Sequence, residues 1–324
     1  MTDLVAVDIG GTHARFALAS VGADGSIALG EPETLHTEDH ASFQTAWEDF
    51  RARKGGSLPD AVAMAIAGPV GGEVIRFTNN PWIIRPALIP EKLGVSRYTL
   101  VNDFEAVAHA VARADSEHFI HLTGPDEPLG ARGTISVLGP GTGLGVAHLW
   151  RDGAGGYHVQ ATEGGHYDFA PLDQIEDAIL ARLRKRHHRV SVERVVAGPA
   201  IVDIYQTLAA LEGRAVAEVD DIEIWTKGTS GEDSLAAAAV DRFCLSLGAV
   251  AGDVALVQGG FAGVVIAGGL GYRIRETLLA SGFAERFRAK GRFAGLMGNI
   301  PVKLIIHPQP GLFGAAAAYA MEHA

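Results

Sequence analysis

Residues 4–20 read LVAVDIGGTHARFALAS. Two short apolar runs, 4–9 and 15–20, flank a polar turn that opens with Gly10-Gly11, the pattern of an antiparallel hairpin. A third strand is expected near 26–34. The rhythm then changes. Phe43, Ala46, Trp47 and Phe50 recur at helical spacing within a polar segment, 41–53. AVAMAIA (61–67) is wholly apolar, as a strand buried on both faces of a parallel sheet is. YTLVND (98–103) is a further strand and leads into a helix reaching about Arg113.

The order then restarts. TISVLG (134–139), GVAHLW (145–150) and YHVQAT (157–162) read as three strands, followed by helices from about 173 to 257 with breaks near Ser191, Gly198 and Gly228–Gly231. GVVIAG (263–268) and PVKLII (301–306) are later buried strands, and Pro310-Gly311 opens an Ala-rich helix. Two blocks that each pass from antiparallel strands into alternating helix and strand imply an α/β protein of two related domains with a central cleft. The boundary is expected in the loop TGPDEPLG (123–130) or slightly before it, giving a small domain 1–122, completed by the C-terminal helix 310–324, and a large domain 123–309.

Composition narrows the class. Of 324 residues, 48% are hydrophobic and 20% charged, which excludes a mainly disordered chain. Lys and Arg number 27 against 38 Asp and Glu, a net charge of −11 that does not favour nucleic acid. The basic run Arg182, Arg184, Lys185, Arg186, Arg189 reads as the wet face of a helix. Cys244 is alone, so no internal disulfide and no Cys-rich zinc site is available. MTDLVAVDIGG lacks a signal-peptide pattern. The uncharged stretches 254–272 and 133–150 are broken by glycine every few residues and read as buried strands and turns rather than membrane spans. A cytoplasmic location is expected.

Among the 41 glycines three clusters stand out, each expected at a strand end: Asp8-Ile9-Gly10-Gly11-Thr12, Gly139 to Gly145 (GPGTGLG), and Gly259, Gly260, Gly263, Gly268, Gly269, Gly271. Each is either a tight hairpin turn or a phosphate cradle, in which glycine lets successive N–H groups approach an anion. Three together, two with an adjacent Thr, favour the cradle. No GK dipeptide, GxGxxG register, HRD/DFG pair, GxSxG or HExxH occurs, so the commonest nucleotide, kinase and hydrolase motifs are excluded. Asp8 is a candidate Mg2+ partner, through water, or else a turn-forming Asp.

Asn102 and Asp103 stand where an apolar strand becomes a helix, a position that suits a ligand site and equally a helix cap. Glu163 and His166 follow another strand, and Glu193 begins a helix, where it also complements the helix dipole. His166 alone fits a structural histidine as well. Together with Asn79 and Asn80 these residues supply the acceptors and amides that a polyhydroxy ligand needs.

At this point the chain resembles the bacterial glucokinases of the hexokinase/actin-like ATPase superfamily, in the group without the ROK zinc motif. The resemblance is carried in order, over nearly the whole length, by VDIGGTHARFAL, FTNNPW, VNDFEAVAHA, LGPGTGLGVAHL, EGGHYDFAP, SVERVVAGP, GGFAGVVIAGG, SGFAERFRAKGRF and PGLFGAAA. It implies ribonuclease H-like domains and transfer of the γ-phosphoryl group of ATP, with Mg2+, to O6 of glucose. It further implies that Asp103 is the base and that Asn79, Asn102, Glu163, His166 and Glu193 hold the sugar. Asp8, Gly10, Gly11 and Thr12 would form the first phosphate loop, Gly141, Thr142 and Gly143 the second, and Gly268 and Gly269 would border the adenosine. Family members are often homodimers. His13 and Pro140 stand where the family usually has Asn and Ala, and Pro140 removes one N–H from the second loop. The alternatives are a kinase for another hexose, such as mannose or fructose, and a non-catalytic sugar-responsive regulator.

Overall fold

The structure is a computed structural model that describes residues 1–77 and 80–323. The chain divides into two compact units, one of residues 1–114 with 307–324 and one of residues 115–306.

The first unit contains strands β1 (Thr2–Ile9), β2 (His13–Val21), β3 (Ile27–Leu29) and β4 (Glu33–His36), helix α1 (Phe43–Arg53), strand β5 (Ala61–Ile66), a small hairpin of β6 (Ile75–Arg76) and β7 (Ile83–Ile84), helix α2 (Ile89–Leu93), strand β8 (Arg97–Asn102) and helix α3 (Asp103–Arg113). The C-terminal helix Pro310–Glu322 belongs to the same unit. Its sheet runs β3-β2-β1-β5-β8, with β4 also on β2. β1 is antiparallel to β2 and parallel to β5, and β5 is parallel to β8. The expected single strand at 26–34 is split in two at Gly30, whose N–H bonds back to Leu18 O.

Residue size alternates along the central strands and decides which helix lies on which face. Val5, Val7, Ile9, Val62, Met64 and Ile66 point into a core with Phe16, Phe43, Trp47 and Phe50, so α1 covers that side. Leu4, Ala6, Ala61, Ala63 and Ala65 point the other way, against Ala106, Leu312, Ala315, Ala316 and Tyr319. Small side chains on that face let α3 and the C-terminal helix come close to the sheet and to each other. Their tightest approach is at Gly314, where an added Cβ would overlap the Ala106 carbonyl.

The second unit opens with β9 (Phe119–Thr123) and the strands β10 (Arg132–Pro140), β11 (Leu144–Asp152) and β12 (Tyr157–Thr162). Helices α4 (Gln174–Arg184), α5 (Glu193–Val196), α6 (Ile201–Leu211), α7 (Asp221–Ser230) and α8 (Ser234–Gln258) follow. The unit ends with β13 (Gly263–Ile266), α9 (Gly268–Arg273), α10 (Arg275–Ala280), α11 (Phe283–Arg288), α12 (Ala294–Met297) and β14 (Val302–Ile305). The sheet order is β12-β11-β10-β13-β14-β9. An antiparallel meander feeding two parallel strands thus occurs in both units, with β10 in the place of β1. β9, which precedes the expected boundary loop, pairs antiparallel with β14 and so falls in the second sheet. Neither β9 nor the β6–β7 hairpin has a period strong enough to be read from sequence.

Helix α8 is the spine of the second core. Asp233 caps it, accepting the N–H groups of Leu235 and Ala236, and Gly259 ends it in the left-handed region at φ 65°. Gly259-Gly260 therefore terminates a helix rather than a strand, which corrects the sequence reading of the third glycine cluster. α8 is also the one described helix long and apolar enough to cross a membrane, but 72% of its apolar window is buried inside the protein, as in a core helix. The two uncharged stretches noted in the sequence form strands, turns and helix ends instead, as expected. At the foot of α8, Asp173 and the buried Glu176 face Arg242 and Arg286 and tie α4 to α8 and α11.

Gly314→Ala is expected to lower the unfolding free energy by about 1–3 kcal/mol through overpacking against α3. Gly295→Ala, where the added carbon meets open space, should stay within about 1 kcal/mol of the parent. Urea denaturation of both variants checks the contrast.

Candidate functional site

In the first unit the parallel pairing is in register at one edge: Ile9 is opposite Ile66, and Ile66 opposite Asn102. The carboxyl ends of β1, β5 and β8 therefore coincide, at the edge where open α/β sheets hold ligands. Asp8 lies one residue before this line and Asp103 one residue after it.

The capping question at Asn102-Asp103 has a definite answer. Asn102 is the cap: its Oδ1 accepts the N–H groups of Phe104 at 2.9 Å and Glu105 at 3.2 Å, and Glu105 returns a carboxylate to the Asn102 N–H in a capping box. Asn102 Nδ2 donates to Gly68 O at 3.1 Å. With both lone pairs of its amide oxygen used, Asn102 has one amide hydrogen left, so it can only donate to a ligand. Asp103 is the first residue of α3. Its Oδ1 shares the Phe104 N–H at 2.9 Å, and it has no ion pair among the described residues. Burial, reinforced by the nearby Asp8 charge and opposed by the Phe104 N–H, pushes its carboxyl up to about 6 from 3.8.

Asp8 is also pushed above the ordinary carboxylate range by burial, with Arg15 opposing the shift. Arg15 Nη1 donates to Asp8 Oδ2 at 3.2 Å across the β1–β2 ladder, where the two residues are directly opposed. The start of the C-terminal helix packs on the same carboxylate: an added Cβ on Gly311 would lie 2.6 Å from Asp8 Oδ2. Among the described residues no group of three or more His, Cys, Asp or Glu could hold a metal. A single carboxylate beside an anion-binding turn fits Mg2+ held mainly by phosphates and water, and does not fit an all-protein metal cage.

Gly10, Gly11 and Thr12 form the turn between β1 and β2. Gly10 N–H closes it onto His13 O at 2.9 Å, while the N–H groups of Gly11 and Thr12 have no partner among the described residues. Thr12 Oγ1 lies 2.8 Å from His13 Nδ1, and the His13 ring packs on His36. Asn80 is buried; its Oδ1 accepts the Trp82 N–H at 2.9 Å and its Nδ2 donates to Gly10 O at 3.4 Å. One amide hydrogen and the amide oxygen are thereby engaged by the turn and by Trp82. Asn79 lies outside the described residues.

In the second unit Gly141, Thr142 and Gly143 occupy the corresponding turn, between β10 and β11. Gly141 N–H donates to Gly143 O at 2.8 Å, and Gly198 N–H holds Gly141 O at 2.7 Å. The N–H groups of Thr142 and Gly143 are unpaired among the described residues. Glu193 seats itself against this turn: its Oε2 accepts the Leu144 N–H at 2.8 Å, and a Cβ on Gly143 would lie 2.5 Å from that oxygen. Pro140 and Leu144 form the last pair of the ladder, so the missing Pro140 N–H falls where pairing ends and the Glu193 carboxylate takes over. Gly165 packs against Leu144 O, too closely for a side chain, which brings the turn carrying Glu163 and His166 to the same place. His166 Nε2 is 3.6 Å from Glu163 Oε2, and both side chains are exposed, by 55% and 82%. Gly268, at φ 88°, starts α9 beside Pro140 O, and open space surrounds Gly269. Within this unit the structure therefore brings together Gly141 to Gly143, Glu163, His166, Glu193, Gly268 and Gly269. In the first it brings together Asp8, Gly10 to Thr12, Asn102 and Asp103.

Sequence reasoning passed over Arg15 and Thr37. The hairpin register would have placed Arg15 opposite Asp8. Thr37 carries no local signal, because its partners, Gly11 and Thr12, lie about one strand-pair away in the chain.

The glucokinase family model matches residues 4–322. A glucokinase from Zymomonas mobilis is 57% identical over 321 residues, covering 99% of this chain and 98% of that one. A glucokinase from Caulobacter vibrioides is 40% identical, covering 97% and 94%. Among solved structures, a glucokinase from an Antarctic psychrotroph superposes with a TM-score of 0.86 at 33% identity, covering 98% of each chain. A family match that spans both units and every residue described at the two turns leaves one conclusion: the chain belongs to the glucokinase family.

Proposed function

We propose that this sugar kinase uses Asp103 as the base that accepts the proton of the glucose 6-hydroxyl while O6 takes the γ-phosphoryl group of ATP. The supporting observation is the state of Asp103: a half-buried carboxylate at the end of a parallel strand, relieved of capping by Asn102 and free of any ion pair among the described residues. In the step, O6 bonds to the γ-phosphorus, the bond from that phosphorus to the β-phosphate bridging oxygen breaks, and the hydroxyl proton passes to Asp103. A loose transition state needs the hydroxyl oriented more than deprotonated early, so a carboxylate with a pKa near 6 suffices. Asn102 donates its remaining amide hydrogen to the sugar, and Glu163, His166 and the free Oε1 of Glu193 contact other hydroxyls. An analogue lacking one of these hydroxyls would leave its partner unpaired and would be penalised for it.

The turn N–H groups of Gly11, Thr12, Thr142 and Gly143 receive phosphate oxygens, and Gly268-Gly269 leaves room for the nucleoside. Asp8 would hold Mg2+ through water, and the ion would supply charge neutralisation of the phosphates when bound. The same strand order in both units supports reading each as ribonuclease H-like.

The charge on Asp103 has a testable sign. Between pH 3.8 and about 6 the folded chain holds a proton that the unfolded chain has lost, so ionising Asp103 in place costs stability above pH 6. Asp103→Asn should therefore raise the melting temperature at pH 7.5. The gain should shrink below pH 6 and vanish below 3.8. The same variant should lose about 10²–10⁴-fold in kcat while retaining glucose binding. For the parent enzyme, kcat/KM should fall as pH drops through 6. A variant that keeps most of its turnover would end the assignment of the base. Glu163→Gln should raise KM for glucose far more than KM for ATP, and equal shifts in steady-state assays would remove it from the sugar site. Asp8→Ala should move the Mg2+ titration of activity to higher concentration; an unchanged titration would show that Asp8 takes no part in holding the ion.

A further inference from the structure

All three carbonyls of the first glycine turn are tied down. Gly10 O accepts from Asn80 Nδ2, Gly11 O accepts the Thr37 hydroxyl at 2.9 Å, and Thr12 O accepts the Thr37 backbone N–H at 3.0 Å. Thr37 follows β4, whose pairing with β2 sets His36 opposite His13 and so delivers the next residue to the turn. It opens a 3-10 turn, Thr37–Asp39, and is its buried residue, 4% exposed; Asn80 is 6% exposed. Neither side chain has a part in the reaction proposed above.

In a planar trans peptide the C=O and the following N–H point in opposite directions. Anchoring the carbonyls of Gly10 and Gly11 therefore turns the N–H of Gly11 and that of Thr12 each away from its anchor, and those two donors have no partner among the described residues. Two consecutive glycines leave the backbone free to rotate. Without the anchors, the Gly11–Thr12 peptide could flip to solvate its carbonyl and would then present an oxygen where the N–H had been. Toward a phosphate that exchange converts attraction into repulsion.

We infer that Thr37 is a positioning residue for the phosphoryl donor, with Asn80 as its second anchor. The inference rests on the assignment of this turn to the phosphates of ATP. Thr37 holds the Gly11 and Thr12 carbonyls back, and the turn keeps its donors facing the anion.

The test is calorimetric binding of AMPPNP with Mg2+, and separately of glucose, to the full chain. Thr37→Val keeps the side-chain shape and removes the hydroxyl. It should weaken AMPPNP about tenfold, the scale of one hydrogen bond, and leave glucose affinity in place. Thr37→Ser retains both donors and should restore AMPPNP binding. Asn80→Asp keeps the acceptor for the Trp82 N–H, loses the donor to Gly10 O, and should show the same selective loss; it decides the matter if Thr37→Val does not fold. Unchanged AMPPNP affinity in Thr37→Val, or an equal loss for AMPPNP and glucose with a lower melting temperature, would overturn the inference. A parent enzyme that binds glucose but not AMPPNP would overturn the assignment of the turn itself, and the positioning role with it.

Discussion

The in-register parallel pairing of β1, β5 and β8 is the constraint on which the first unit's chemistry depends. Ile9, Ile66 and Asn102 lie in one row because the ladder allows no slip: a shift of one residue would turn Val62, Met64 and Ile66 away from Trp47 and Phe50. That row places Asp8 and Asp103 at one edge of the sheet, close enough for the Asp8 charge to bear on Asp103. It also sets the depth at which they lie, and depth controls their proton affinity. Burial dominates both shifts, and the hydrogen bond from Phe104 and the charge of Arg15 only moderate them.

Both units solve the same problem at the tip of their first hairpin. A three-residue turn must leave N–H groups unpaired without becoming slack. In the first, Thr37 and Asn80 hold the carbonyls; in the second, the Gly198 N–H holds Gly141 O, and the Glu193 carboxylate takes the Leu144 N–H. Gly198 is itself fixed by the Trp225 indole, which donates to its carbonyl at 3.0 Å. The anchors differ in kind, so the resemblance between the units is one of strand order and not of side chains. Glycine is used in two ways across the chain. At 10, 11, 141 and 143 it serves the turns; at 248, 252 and 314 it removes a side chain that would meet the backbone or a side chain of a neighbouring helix.

Much of the architecture was legible in the sequence because it is local. The hairpin around Gly10-Gly11, the apolar run 61–67, the strand leading to Asp103 and the meander from 134 to 162 all carry periods or turn chemistry that few other structures satisfy. What escaped were elements whose cause lies elsewhere. β9 pairs only because β14 offers an edge, and the β6–β7 hairpin is two residues a side. Gly259-Gly260 looked like a strand-end turn, but α8 runs on to Gln258 because its buried face extends that far. The contact of the Asn80 amide with the glycine turn spans 70 residues and had no local sign either.

By itself the sequence determined the succession of strands and helices, the positions of the two turns, and the candidate residues, since turn-forming glycines, apolar periods and strand-to-helix junctions are properties of neighbours in the chain. The tertiary structure alone decided that Asp103 rises to a pKa of about 6, that Asn102 spends an amide hydrogen on Gly68, and that Thr37 reaches Gly11 and Thr12. Each of these depends on desolvation or on a hydrogen bond between groups that only packing brings together, and no local pattern encodes either.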